Sequence, residues 1–146
     1  MNRNSDPFLQ TLQAYRDAVL AKDVDAFVAI YDDDVHVFDM WNDWSLRGTA
    51  AWRRMAEGWF GSLGDERVRV EFDDIHSTIS DAMVCGHATV TYTALSATDT
   101  ALRSLSNRMT LALRRTDGGW KVVHEHTSAP IEHGSMKPVL QRPRAD

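Results

Sequence analysis

The last patterned stretch of the chain reads GGWKVVHEHTSAP, residues 118–130, in which His124 and His126 flank Glu125. Two imidazoles around a carboxylate can bind a metal ion, pass a proton, or serve as polar groups on a strand. In a helix the three side chains would fan apart; in a strand the histidines share one face and the glutamate takes the other. A metal site needs a third ligand, which His36, His76 or His87 could supply, and a carboxylate to orient the ligands. H-x-H without that context is no metal signature, and no metal is expected. Far upstream, Asp39 follows the apolar run VHVF, with Val35 and Val37 at period-two positions. A carboxylate on that face points inward, where desolvation lifts its pKa toward values useful to a general base. The other reading of Asp39 is a cap on the turn after the strand. Tyr15 lies on an apolar helical stripe with Leu12 and Val19, as a core tyrosine would. Trp41, Trp44, Trp52, Trp59 and Phe60 crowd one short stretch. Trp52 and Trp59 share the apolar face of one helix and are the best candidates to line a pocket for a flat, apolar ligand.

The elements that must position these groups follow from hydrophobic period and punctuation. Ser5-Asp6-Pro7 is a helix start, and Phe8, Leu9, Leu12, Tyr15, Val19 and Leu20 continue as a helical stripe. Asp23 caps a second short helix carrying Ala26, Phe27, Ile30 and Tyr31; the run Asp32-Asp33-Asp34 is expected to end it by opposing the helix dipole. A short strand then spans 35–39. After the loop MWNDWSLRG, Gly48-Thr49 opens a third helix with an aromatic face, and Gly61 and Gly64 mark its end. The period then changes to two, predicting strands over 67–77, 82–95, 102–115 and 120–129. Residues 131–146 show little periodicity and are expected to form a loose arm, or one that packs on a neighbour.

A chain of 146 residues, 43% hydrophobic, suits one domain with one core, here about 8–130. A net charge of −5 argues against a nucleic-acid partner. The lone Cys85 excludes an internal disulfide and fits a reducing compartment. The N-terminus lacks the apolar core of a signal peptide, and no apolar run reaches membrane-spanning length. A cytoplasmic protein without membrane contact is expected. Three helices with one strand among them, then a meander, give an α+β fold. It is expected to be a cone-like barrel: three N-terminal helices packed on a strongly curved antiparallel sheet. The mouth of such a cone is a natural small-molecule site.

Two stretches carry a family resemblance. AYRDAVLAKDVDAFVAIYDDDVHVFD and RRTDGGWKVVHEHTSAP together resemble the nuclear transport factor 2-like superfamily, and within it the SnoaL-like and ketosteroid-isomerase-like proteins. The terminal W-K-V-V-H-E-H-T-S is also similar to the association domain of calcium/calmodulin-dependent kinase II. In ketosteroid isomerase an aspartate ending the first strand is the general base. A tyrosine on the first helix, with a carboxylic acid kept protonated by an apolar site (the enzyme is a worked example of such pKa tuning), forms the oxyanion hole. The resemblance places Asp39 on the base and Tyr15 on the tyrosine, and Tyr31 on a further pocket tyrosine. It adds Leu111 to the ligand-lining set. The acid has no counterpart: its strand reads Arg108-Met109-Thr110-Leu111-Ala112. Loss of one oxyanion donor typically costs about 3 kcal/mol, so the resemblance does not extend to steroid isomerisation.

In the kinase association domain the residue matching Thr127 is a pocket arginine. That orientation puts Thr127 and Glu125 in the cone and the histidines outside, and Thr127 removes an anion-binding feature. With strict alternation, Trp120, Val122, His124, His126 and Ser128 share the outer face, where such proteins dimerise. The expected function is binding of a small, largely apolar, possibly cyclic carbonyl compound, with isomerase, dehydratase or cyclase chemistry by Asp39 and Tyr15 and no cofactor. The alternative is a non-catalytic dimeric ligand-binding or association module. A cone filled by Trp52, Trp59 and Met55 would bind nothing.

Overall fold

The computed structural model describes residues 5–143. The order is α1 (Pro7–Ala21), α2 (Val24–Val28), β1 (Tyr31–Phe38), β2 (Leu46–Arg47), α3 (Thr49–Ser62), β3 (Arg67–Ile79), β4 (Met83–Leu95), β5 (Ala101–Thr116) and β6 (Gly119–Ser128). Asp6 caps α1, its Oδ1 accepting from the amides of Phe8 at 2.9 Å and Leu9 at 3.1 Å. Lys22 closes the helix in the left-handed region at φ 52°. Its ammonium then donates to the carbonyls of Gly64 and Glu66, tying the α1 end to the α3–β3 turn. Asp23 caps α2 through the Ala26 amide.

The acidic run does not end α2. Helix α2 stops at Val28, and Asp32, Asp33 and Asp34 lie within β1. The reason is tertiary: the Val122 amide donates to the Ile30 carbonyl at 3.0 Å, and Tyr31 pairs with Val122 of β6. Backbone pairing with a central strand outweighs the few tenths of a kcal/mol, about 0.3–1, of an unfavourable charge–dipole contact. The tryptophan loop likewise yields a two-residue strand, β2, on the edge of β1.

The strands form one curved, unclosed sheet in the order β2-β1-β6-β5-β4-β3. All neighbours are antiparallel except β1 and β6, which run in parallel. Bulges bend it: β3 shifts register between Asp73 and His76, with Asp74 at φ 51°, and β6 shifts at Val123. The helices fill the concave side. Phe27 sits at the centre, its ring 5.4–6.5 Å from those of Tyr15, Tyr31, Trp52, Trp59 and Phe60. Phe8 at the start of α1 lies against β4 at Gly86, where an added Cβ would stand 2.5 Å from its ring. Among the described residues no helix is long and apolar enough to cross a membrane.

The Val123 bulge reverses the alternation expected along β6. Leu113 pairs with Val122 and Ala112 with His124, leaving Val123 as the extra residue. Val122, Glu125 and Thr127 are therefore all buried inside, and Trp120 packs against the core rather than on the outer face. Beyond β6, residues 131–143 make a turn closed by an Ile131–Pro138 bridge. The chain then docks on the free edge of β5: the Ser106 amide donates to the Leu140 carbonyl at 2.7 Å, and Gln141 donates to the Ser104 carbonyl at 2.8 Å. Arg142 reaches Asp73 of β3. The segment expected as a loose arm is held against its own sheet as far as residue 143.

Candidate functional site

A cavity of about 820 Å³ opens between α3 and the concave sheet. Three walls supply its polar groups. From the end of β1 comes Asp39; from β6 come Glu125 and Thr127; from α1 and β4 come Tyr15 and Tyr92. The parallel β1–β6 register pairs Val37 with Glu125 and Phe38 with His126, so the chain leaving β1 delivers Asp39 beside Thr127. The Thr127 hydroxyl donates to Asp39 Oδ1 at 3.0 Å and accepts from the Met40 amide at 3.0 Å. The Thr127 bond thereby holds the Asp39 carboxylate on the cavity wall. Burial raises the Asp39 pKa above the ordinary carboxylate value, held back in part by the Thr127 hydroxyl and the Met40 amide.

Glu125 is the more perturbed group. It is 2% exposed, yet it lines the cavity floor, with the Tyr31 hydroxyl donating to Oε1 at 2.6 Å. Desolvation dominates; the Tyr31 bond opposes it and the negative charge of Asp39 adds to it, pushing Glu125 up to about 8. At neutral pH this side chain is mostly a neutral carboxylic acid, able to donate through its second oxygen. Burial raises both carboxyl groups, and the charge of Asp39 raises Glu125 further, so the aspartate gives up its proton before the glutamate, an order that suits a base and an acid sharing one site.

The tyrosines complete the floor. Tyr15 and Tyr92 share a hydrogen bond of 3.0 Å between their hydroxyls, and burial raises both pKa values, keeping them neutral donors. Tyr31 is raised by burial and then by the adjacent Glu125. Tyr31 does not form part of the cavity wall; it acts on the cavity through Glu125. Leu111, paired with Glu125 across β5 and β6, is buried in the core behind the wall and does not line it. Trp52 and Trp59 both line the cavity from α3, Trp52 being almost wholly buried. Trp41 stands at the mouth, while Trp44, 96% exposed, faces solvent. The apolar stretch between floor and mouth is made by Leu46, Met55, Leu63, Val68 and Leu105. The cone is open beside Asp39 rather than filled by Trp52, Trp59 and Met55.

The sequence reading missed Tyr92 and Asn107, both on the wall. The signal was strand phase. In β4 the buried set Val84, Ala88 and Val90 continues in phase to Tyr92; in β5 Leu113, Leu111 and Met109 lead to Asn107. Outside the cone, His124 Nδ1 bonds the His36 carbonyl at 2.7 Å. His36, His124 and His126 surround the ring of Phe38 at centroid distances of 4.8, 5.0 and 5.6 Å. Among the described residues no group of three His, Cys, Asp or Glu side chains is arranged to hold a metal ion.

Comparison with known proteins agrees with this architecture. The family model described as SnoaL-like domain matches residues 9–132. No curated protein matches the chain. A solved NTF2-like protein of unknown function from Pseudomonas putida KT2440 superposes with a TM-score of 0.84 at 22% identity, covering 99% of each chain. A putative dehydratase of the NTF2-like family from Streptomyces avermitilis gives a TM-score of 0.67 at 17% identity, covering 94% of this chain and 96% of that one. A putative calcium/calmodulin dependent protein kinase II association domain from Xanthomonas campestris gives 0.66 at 15% identity, covering 83% and 84%. At these identities the likeness is one of fold.

Proposed function

This chain belongs to the SnoaL-like domain family, and from that premise we propose that its cone takes up a small, largely apolar carbonyl compound and moves a proton on it, with Asp39 as base and neutral Glu125 as acid. The observation that carries this is the pairing of two carboxyl groups on one apolar cavity, each held by its own hydroxyl, Thr127 for Asp39 and Tyr31 for Glu125. Asp39 removes a proton from the carbon next to the carbonyl. The C–H electron pair moves toward the carbonyl oxygen, and the developing enolate takes hydrogen bonds from the Glu125 carboxylic acid and the Tyr15–Tyr92 hydroxyl pair. The enolate then has two exits. Returning the proton to a different carbon isomerises the compound. Expelling a β-hydroxyl, which takes the Glu125 proton and leaves as water, gives an unsaturated carbonyl. The putative dehydratase of the same fold from Streptomyces avermitilis supports keeping the second exit in view. The acid that the isomerase resemblance lacks on β5 is supplied here from β6.

Deuterium exchange tests the shared first step without a known substrate. Cyclic ketones incubated with the protein in D2O are expected to gain deuterium next to the carbonyl, followed by proton NMR, and Asp39→Asn and Tyr15→Phe are expected to slow the exchange. Ketones that bind yet exchange no faster than in buffer would leave a ligand-binding module without turnover, the rival reading. We also propose that the protein is a homodimer through the outer face of β1 and β6. Phe38, 37% exposed within the ring of His36, His124 and His126, is the observation that favours it. Light scattering should give twice the monomer mass for the native chain and the monomer mass for Phe38→Glu.

A further inference from the structure

The mouth of the cavity carries basic groups that its floor lacks. Floor and wall carry Asp39 and Glu125; among the described residues that line the cavity the basic ones are Arg54 on α3 and Arg103 on β5, both exposed at its solvent side. Arg103 is held by Glu66 through two hydrogen bonds, at 3.1 and 2.6 Å. Arg54 is different. Among the described arginines it is the one with no hydrogen bond, ion pair or ring contact. Its neighbour Arg53, by contrast, pairs with Asp25 at 2.8 Å. One turn further along the same face lies Gly58, also on the cavity wall, with nothing within 4 Å of where a Cβ would stand. Neither a tight approach nor a positive φ requires glycine there. In mid-helix it costs about 0.5–1 kcal/mol against alanine, a cost that leaves cleared space beside a free guanidinium.

We infer that the ligand carries an acidic group at its outer end, held by Arg54, while the adjoining part of its framework lies against the bare α3 backbone at Gly58. The inference rests on the cavity reading above and adds the substrate class: an amphipathic carbonyl acid, bound with its reacting end inward. Charge fixes that orientation. A carboxylate placed on the floor would face ionised Asp39 in a dry setting, whereas at the mouth it meets a planar donor suited to two-point recognition. Asp43, an exposed acid that also lines the cavity, works against an anion there.

A matched pair of probes separates this from the acid–base reading: an acetylnaphthoic acid and the corresponding acetylnaphthamide, identical except for the charge distal to the ketone. By calorimetry at low salt, the acid is expected to bind the native protein about tenfold more tightly than the amide, a difference salt reduces. Arg54→Gln should erase the preference and leave amide binding unchanged, and Asp43→Asn should enlarge it. Gly58→Leu should weaken both probes without lowering the melting temperature, and Gly58→Ala should raise that temperature. Asp39→Asn, which disables proton abstraction, should keep the preference for the acid. Equal binding of acid and amide, or a preference that survives Arg54→Gln, would overturn the inference while leaving the acid–base reading in place. A preserved preference without any deuterium exchange would do the reverse. Failure of both probes to bind overturns the inference and the cavity reading together.

Discussion

Along β6, neighbouring residues meet opposite conditions. Glu125 and Thr127 face the cone, where one carboxyl is driven neutral and a hydroxyl serves the second carboxyl. His124 and His126 face outward around Phe38, where water remains within reach. The eye goes first to the histidines, because imidazole is the usual group for proton transfer near pH 7. Yet the chemistry proposed for the cone falls to carboxyl groups, because desolvation pushes Glu125 up to about 8. Environment outranks residue type in choosing the acid.

The largest effect that could break this contrast is on turnover. Asp39→Asn keeps size and the Thr127 hydroxyl contact while removing the base, so deuterium exchange should fall by about 10²–10⁴-fold with the melting temperature nearly unchanged. His126→Ala on the outer side should leave exchange within a factor of about two, since no group of the reaction touches it.

How much of this was legible beforehand follows the same contrast. Asp39 and Tyr15 were singled out mainly by the family resemblance; by themselves an acid after an apolar strand and a tyrosine on a buried stripe also read as a turn cap and a core tyrosine. Glu125 was placed inside by the fold resemblance, and its position holds. Its protonation was not legible, because it depends on enclosure by α3, β1 and the tyrosines rather than on neighbours in sequence. Val122 and Trp120 were misplaced for a physical reason: a bulge adds one residue to β6, and a single extra residue reverses every later face. Tyr92 and Asn107 were written in the strand phase but carried no motif. The β1 start was obscured by three aspartates that read as a helix stop and are in fact strand residues.

A second prediction concerns stability against pH. The folded chain holds Glu125 at about 8 against its ordinary 4.5. Below 4.5 the group is neutral in both states; between the two values the folded chain retains a proton that the unfolded chain has released. Stability from this group is therefore present at low pH and lost as pH rises to about 8. Glu125→Gln lacks that slope, so its melting temperature relative to the native chain should climb between pH 5 and 9, followed by calorimetry. A difference that stays constant with pH would place Glu125 in contact with water. Activity should follow the same group: it needs ionised Asp39 and neutral Glu125, so the alkaline limb should fall near pH 8 and vanish in Glu125→Gln.

A smaller effect sharpens the inside–outside contrast on β4. Gly86→Val thrusts a side chain into the Phe8 ring and should cost about 1–3 kcal/mol in denaturant unfolding. Cys85→Ala, one residue away on the exposed side, should change stability by no more than about 0.5 kcal/mol.

The central claim is that one cavity holds an ionised aspartate facing a protonated glutamate, and the direct measurement is a carboxyl-carbon NMR titration of protein labelled at Asp and Glu. One glutamate signal should titrate near pH 8 and disappear in Glu125→Gln, while an aspartate signal absent from Asp39→Asn titrates above the ordinary aspartate range but below it. A spectrum in which every glutamate titrates near the ordinary 4.5 would contradict the account.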